Sequence, residues 1–188
     1  KIQTIGNTEA IIESKYDFSS SDVLFLRKSN ELSSSSKTKI INESKESYEL
    51  DKFMYQIEKK KLKGINVKVN SNINFNESEA DHLKFKSGFF DLARKSHKAS
   101  ETEIFLKKNS FGNPENDPRL YGVSSKSSDK KTIINKGIFT SCKKNNKCPP
   151  WSVKAEKITH DKEKKQLIYD NAFLRVYDYP VMYFPKFF

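Results

Sequence analysis

The sequence predicts an all-β fold built from antiparallel hairpins. Apolar and polar residues alternate with a period of two over much of the chain, which is typical of strands with one buried face. A set of apolar residues also recurs every 30 residues. A helical pattern is confined to residues 89–98 and is short. Together these observations predict hairpin units of about 30 residues that bury their apolar faces against their neighbours.

The 30-residue recurrence involves three registers. Their members are Val23, Phe53 and Leu83; Phe25, Tyr55 and Phe85; and Leu32, Leu62 and Leu92. Near the C-terminus, Ile158, His160 and Leu167 keep the same internal offsets and form a fourth copy. Polar stretches at 28–30 and 161–164 separate the strands as turns.

The remaining segments are assigned from shorter patterns. Residues 39–41, 67–69 and 72–76 predict short strands. Residues 108–135 are polar, contain glycine and prolines, and include a Ser/Lys run, so they predict a long loop.

Composition and charge limit the class of protein. The 188 residues suit one domain, and 12% aromatic residues are too many for a disordered tail. No apolar run reaches the length of a membrane helix. The first residue is Lys1 instead of Met, so we expect a processed or excised chain. The net charge of +11 predicts an acidic partner such as nucleic acid, anionic lipid or a phosphorylated ligand.

The basic residues are 31 Lys and only four Arg. Arginine is the usual reader of bases and phosphates because its planar fork bonds in pairs. This bias weighs against specific nucleic-acid recognition and favours a solvated lysine surface.

The sequence does not predict an enzyme, a cofactor or a metal site. Cys142 and Cys148 have only His160 nearby, too few ligands for zinc, and a disulfide is favoured, either within the chain or to a cysteine outside it. That pairing requires an oxidising compartment. His82 and His97 have no acid or nucleophile at a recognisable spacing.

Five C-terminal segments carry a resemblance, at 137–142 (GIFTSC), 150–155 (PWSVKA), 158–161 (ITHD), 171–176 (NAFLRV) and 179–185 (YPVMYFP). Together they resemble the OstA (LptD) family of outer-membrane lipopolysaccharide-assembly proteins. The 30-residue recurrence is similar to the repeat of periplasmic lipopolysaccharide-transport proteins. The resemblance covers nearly the whole chain.

This resemblance implies a twisted β-jellyroll with an open, V-shaped groove over residues 1–176. Residues 177–188 would be a linker or the start of an outer-membrane β-barrel that is itself absent. The domain would lie in the periplasm of a Gram-negative cell. It would receive lipopolysaccharide from a periplasmic bridge of jellyrolls and pass its acyl chains to the barrel, whose lipoprotein plug would be a further partner.

The resemblance also assigns individual residues. Cys142 stands where the family bonds to a barrel cysteine, whereas Cys148 departs from the pattern, so a local bridge stays equally open. Ile5 and Ile11 lie in a first strand that would dock the bridge protein by adding a strand to the sheet. A closed sandwich and an open groove share the same alternating pattern, so core packing stays open as the alternative for residues such as Phe25, Tyr55 and Phe85. The predicted lipid-groove residues are Phe18, Val23, Phe25, Leu32, Tyr48, Phe53, Tyr55, Leu62, Leu83, Phe85, Leu92 and Ile158.

Two classes of function follow from these observations. The first is lipopolysaccharide transport through an apolar groove. The alternative is a basic β-sheet module that binds nucleic acid or an anionic polysaccharide, whose affinity would fall steeply with salt. The predicted inward position of the aromatic residues favours the first class, and we expect no nucleic-acid partner.

Overall fold

The computed structural model describes residues 1–12, 14–76, 78–143 and 150–188 and confirms the all-β class. One open, antiparallel sheet contains sixteen strands, and residues 108–111 form a single 3₁₀ turn. The strands are β1 Ile2–Gln3, β2 Asn7–Ile12, β3 Tyr16–Ser21, β4 Leu24–Leu26, β5 Glu31–Ser34, β6 Thr38–Asn42, β7 Ser47–Leu50, β8 Lys52–Gln56, β9 Lys61–Asn70, β10 His82–Asp91, β11 Ser96–Phe105, β12 Arg119–Ser127, β13 Lys131–Thr140, β14 Trp151–Asp161, β15 Gln166–Val176 and β16 Tyr179–Phe187. Within these described ranges, no helix is long and apolar enough to cross a membrane.

The sheet divides at β9. The first half of β9 pairs with β8, which continues to β5, β4 and β1, whereas its last residues pair with β7, which continues to β6, β3 and β2. From β10 to β16 each strand pairs with the next along the chain. Phe18 on β3 and Phe53 on β8 have ring centroids 5.4 Å apart. The two branches therefore face each other through their apolar sides.

A single crease crosses the long strands β9 to β15. Pairing is interrupted once in each ladder, and two successive residues point outward there. On alternate strands the crease residue has a positive φ, at Asn66, Glu101, Lys136 and Asn171. The extra outward residue at the crease shifts the inward–outward alternation by one position. Leu62 and Val67, on either side of the crease, are therefore both buried. Each long strand thus lines both halves of the folded sheet.

From β9 onward, the crease gives the structure a repeat of 35 residues. The 30-residue period predicted from the sequence is therefore wrong for the third unit. The equivalent of Tyr55 is Phe90, because both residues precede a four-residue hairpin turn, at 57–60 and 92–95. Leu92 therefore lies in a turn, and Phe85 lies beyond the crease. His160 follows Tyr55 by three 35-residue periods, so the predicted C-terminal copy lies at the position equivalent to Tyr55 in the 35-residue repeat. The first hairpins are shorter because β6 and β7 supply the other half of the wall.

Residues 108–135, expected as a long loop, contain all of β12 and the start of β13. Their polarity is compatible with strands because the inward hydroxyl groups pair with one another. Thr102 Oγ1 donates to Ser125 Oγ at 2.8 Å, and the hydroxyls of Ser127 and Thr132 are 2.8 Å apart. A buried hydroxyl costs little when it is hydrogen-bonded.

One other segment also differs from the sequence expectation. Residues 72–76 form turns instead of a strand, because the Asn72 and Asn76 side chains accept hydrogen bonds from backbone amides two residues later.

Residues 177–188, for which the sequence predicts a linker or the start of a β-barrel, include β16, which pairs with β15 from Tyr169–Phe187 to Val176–Tyr179.

The buried apolar residues form two adjoining cores. The first lies where the branches meet and includes Leu50, Phe53, Leu62 and Val67. The second lies within β11 to β15 and includes Leu120, Ile134 and Ile158. The interior between these cores contains the candidate site.

Replacing Lys136 with glycine is expected to stabilise the protein. The exposed Lys136 has φ 48° at the crease. This left-handed conformation is unfavourable by about 1 kcal/mol for a residue with a side chain, whereas glycine adopts it without that penalty. We expect the free energy of unfolding of Lys136→Gly to rise by about 0.5–1 kcal/mol, measured by urea denaturation. Lys154→Gly, at an exposed strand position of ordinary φ, is the control and should lower it. Equal losses in both variants would contradict strain at the crease.

Candidate functional site

A cavity of about 480 Å³ lies between the two halves of the creased sheet. Its floor is apolar and buried. The floor residues are Phe85, Phe90, Ile104, Leu120 and Ile134. The half-buried side chains of Tyr48, Leu83, Leu92 and Leu106 extend the apolar lining towards solvent. The cavity therefore offers continuous hydrocarbon contact without a closed lid.

The mouth of the cavity is charged. Its charged residues are the carboxylates Glu46, Asp81, Asp91 and Asp129 and the lysines Lys95 and Lys162. The Lys162 ammonium donates to Ser127 Oγ at 3.1 Å and to the Ser128 carbonyl at 2.7 Å, so its position is fixed. The arrangement suits an amphiphile whose apolar part enters the cavity and whose polar part stays at the mouth.

Two histidines lie between the floor and the mouth. The His97 ring packs 5.0 Å from the Phe85 ring and 5.7 Å from the Phe90 ring. Burial, and secondarily the Lys162 charge, lowers the pKa of His97 to about 4. The same two causes lower the pKa of His160. The imidazole of His97 is therefore neutral at neutral pH, and the lysines supply the positive charge of the mouth.

Tyr48 is another titratable group of the lining. Burial, with the nearby Glu46 carboxylate, raises the pKa of Tyr48. The Tyr48 hydroxyl donates to Glu46 Oε2 at 3.3 Å, so this phenol stays neutral and its ring adds to the apolar lining.

Sequence reasoning assigned no binding role to His97. The 35-residue period would have predicted an inward side chain for His97, because His97 follows the inward Leu62 by one such period. A 30-residue period selects Leu92 instead.

The twelve predicted groove residues separate into four groups. Tyr48, Leu83, Phe85 and Leu92 line the 480 Å³ cavity. Phe18, Phe53, Tyr55 and Leu62 border a second void, of about 20 Å³, which Leu92 also reaches and which has room for about one water molecule. Val23 and Ile158 are buried in the two cores, and Phe25 and Leu32 are half-buried on β4 and β5. The structure thus brings four of the predicted residues together at the cavity.

The predicted docking edge lies at one end of the sheet. Ile11, on β2, is 72% exposed, and Ile5, just before β2, is 92% exposed. Among the strands that the structure describes, β2 pairs only with β3 and β16 pairs only with β15. Both strands therefore present unpaired backbone groups to solvent.

The predicted disulfide is only partly covered by the described residues. Cys142 is half-buried, its amide donates to Thr140 Oγ1 at 3.2 Å, and its sulfur lies 3.7 Å from the Trp151 carbonyl oxygen. Cys148 lies outside the described residues. The pairing of Cys142 thus stays a prediction.

No protein-family model matches the chain, and no curated protein matches it significantly in sequence. The shape and chemistry of the cavity therefore carry the functional argument.

Proposed function

We propose that the chain is a periplasmic lipid-transport domain of the OstA type, a V-shaped β-jellyroll that passes the acyl chains of lipopolysaccharide along its interior. The observation that carries the proposal is the cavity between the sheet halves, with an apolar floor and a charged mouth. Its 480 Å³ volume lies within the range of small-molecule sites, about 300–1,000 Å³.

The lining favours transit over tight binding. An acyl chain gains about 0.8 kcal/mol for each buried methylene, and this gain has no preferred direction. The floor residues Phe85, Leu120 and Ile134 offer such contact without a hydrogen bond to break. A chain can then slide between neighbouring apolar contacts at little cost.

The mouth supports the same interpretation. Lys95 and Lys162 lie there as exposed cations and suit the phosphates of a lipid A headgroup as point charges. The carboxylates of Asp91 and Asp129 line the same mouth. They limit the net attraction and favour release of the headgroup.

Free edges at both ends of the sheet support transfer between domains. An added strand at β2, beside Ile5 and Ile11, would extend the sheet into a neighbouring jellyroll of the bridge. In this proposal the other end of the sheet, at β16, leads to the barrel and its lipoprotein plug. An aligned sheet on each side keeps the apolar path continuous.

The test is site-specific photo-crosslinking of lipopolysaccharide by the purified protein. A photoreactive residue at Leu83, which lines the cavity, is expected to capture lipopolysaccharide. The matched control is Val123, which is 59% exposed on the outer side of the crease. Capture at Leu83 should persist at high salt, because burial of hydrocarbon does not depend on charge.

Equal capture at Leu83 and Val123, or capture at neither position, would contradict the proposal. A salt-sensitive capture confined to the outer position would favour the basic binding module instead.

A further inference from the structure

The outer face of the sheet carries a row of lysines around an exposed phenylalanine. Lys63 on β9 is the cross-strand partner of Phe89 on β10, Phe89 is the partner of Lys98 on β11, and Lys98 is the partner of Lys126 on β12. Phe89 is 61% exposed, and all three lysines are exposed. Four adjacent strands span about 14 Å, so the row is compact.

Two further apolar side chains border this row. Met54 on β8 is the other cross-strand partner of Lys63, and Ile65 lies two residues after Lys63 on the same face. Met54 is 40% exposed and Ile65 is 39% exposed. With Phe89 they form an apolar strip beside the lysines.

The positive charge of the row is not balanced within the described part of the chain, where none of the three lysines forms an ion pair. Other outer lysines do, as Lys86 with Glu101 at 2.6 Å shows. Lys98 and Lys126 lie directly opposite each other, an arrangement that disfavours folding through repulsion. The Lys63 ammonium lies 5.3 Å from the Phe89 ring centroid. An external anion would relieve this repulsion.

We propose that this face, formed by Met54, Lys63, Ile65, Phe89, Lys98 and Lys126, docks on the surface of an anionic lipid bilayer. A lysine stem covers apolar surface while its ammonium reaches a lipid phosphate. The three apolar side chains enter the headgroup boundary.

The composition of the patch distinguishes this partner from a soluble polyanion. Nucleic-acid surfaces combine several stacking aromatics with arginine, whereas this patch has one aromatic ring and only lysines. Exposed Met54 and Ile65 offer nothing to a hydrophilic polymer, but they gain contact with acyl chains. The docking face lies outside the cavity and is independent of the proposed transport.

The test is flotation of the protein with vesicles of phosphatidylglycerol and phosphatidylcholine, against vesicles of phosphatidylcholine alone. We expect binding only to the anionic vesicles and a decline with salt. Replacing Lys63, Lys98 and Lys126 together with glutamine should weaken binding about 100-fold, since each lysine near an anionic surface contributes about fivefold. The matched control replaces the exposed Lys15, Lys37 and Lys154 with glutamine, which removes the same charge from other places.

The Phe89→Ser variant distinguishes binding to a membrane from binding to a soluble polyanion. It should weaken vesicle binding and leave binding of heparin, a soluble polyanion, unchanged. Neither triple variant should lower the melting temperature, because the first removes a repulsive pair and the second removes solvated charges. Equal loss of vesicle binding in the two triple variants would overturn the proposal. Unchanged vesicle binding by the Phe89→Ser variant would also overturn the proposal.

Discussion

The protein is expected to lose about 3 kcal/mol of unfolding free energy through His97 as the pH falls from 6.5 to 4. The pKa of His97 is lower in the folded protein than in the unfolded chain, because the ring is packed against Phe85 and Phe90 and faces the charge of Lys162. Below the unfolded pKa the unfolded chain binds more protons than the folded protein. Stability is therefore complete above pH 6.5 and declines until the folded pKa of about 4 is reached.

Urea denaturation at a series of pH values measures this loss. His97→Gln places a neutral side chain at the same position, so its stability should change much less between pH 6.5 and 4 than that of the parent protein. His160→Gln is the matched control, because the pKa of His160 is lowered by the same causes in a less buried setting. Parallel curves for the parent and His97→Gln would show that His97 does not cause the acid sensitivity.

Truncation of Ile158 is expected to destabilise the protein by about 3–4 kcal/mol. Ile158 is fully buried in the second core and lies opposite Ile134 and Tyr169 on the adjacent strands. The Ile158 side chain packs directly against Gly137, which has no side chain. A methyl group at residue 137 would lie only 2.7 Å from Ile158 Cδ1. Ile158→Ala therefore leaves a cavity that its neighbours cannot close. Thermal and urea denaturation measure the loss.

Leu83→Ala is the matched comparison. Leu83 is half-buried and already borders the 480 Å³ cavity, so its truncation widens an existing space and should cost only about 1 kcal/mol. Acyl-chain capture should fall in Leu83→Ala and survive in folded Ile158→Ala. A cost for Ile158 no larger than that for Leu83 would place Ile158 on an open groove, as the sequence predicts.

Most strands could be predicted because their signal is local. Phe53 and Tyr55 on β8, and Leu167 and Tyr169 on β15, point inward two residues apart, and this alternation is visible without knowledge of any partner strand. The polar stretches before Lys61 and Gln166 likewise indicate hairpin turns. The serine-rich strand β12 and the start of β13 escaped prediction because their inward hydroxyls pair only with neighbouring strands, as Thr102 and Ser125 do.

The 35-residue period was also beyond local reasoning. At the crease, Glu101 and Lys136 adopt positive φ although neither is a residue type that favours it. Their conformation is imposed by the pairing of the long strands on both sides. A pattern search over the first hairpins, which lack the crease, necessarily returns the shorter period.

The sequence by itself determined that the chain is an antiparallel β protein and which face of most strands is apolar, because side-chain direction in a strand depends only on the parity of position. Only the tertiary structure decided which inward residues close into a core and which line a cavity. Ile158 and Leu83 are both inward and aliphatic, yet one is sealed and the other borders open space. The difference arises from the division of the sheet at β9 and from the separation of its two halves, which no local pattern encodes.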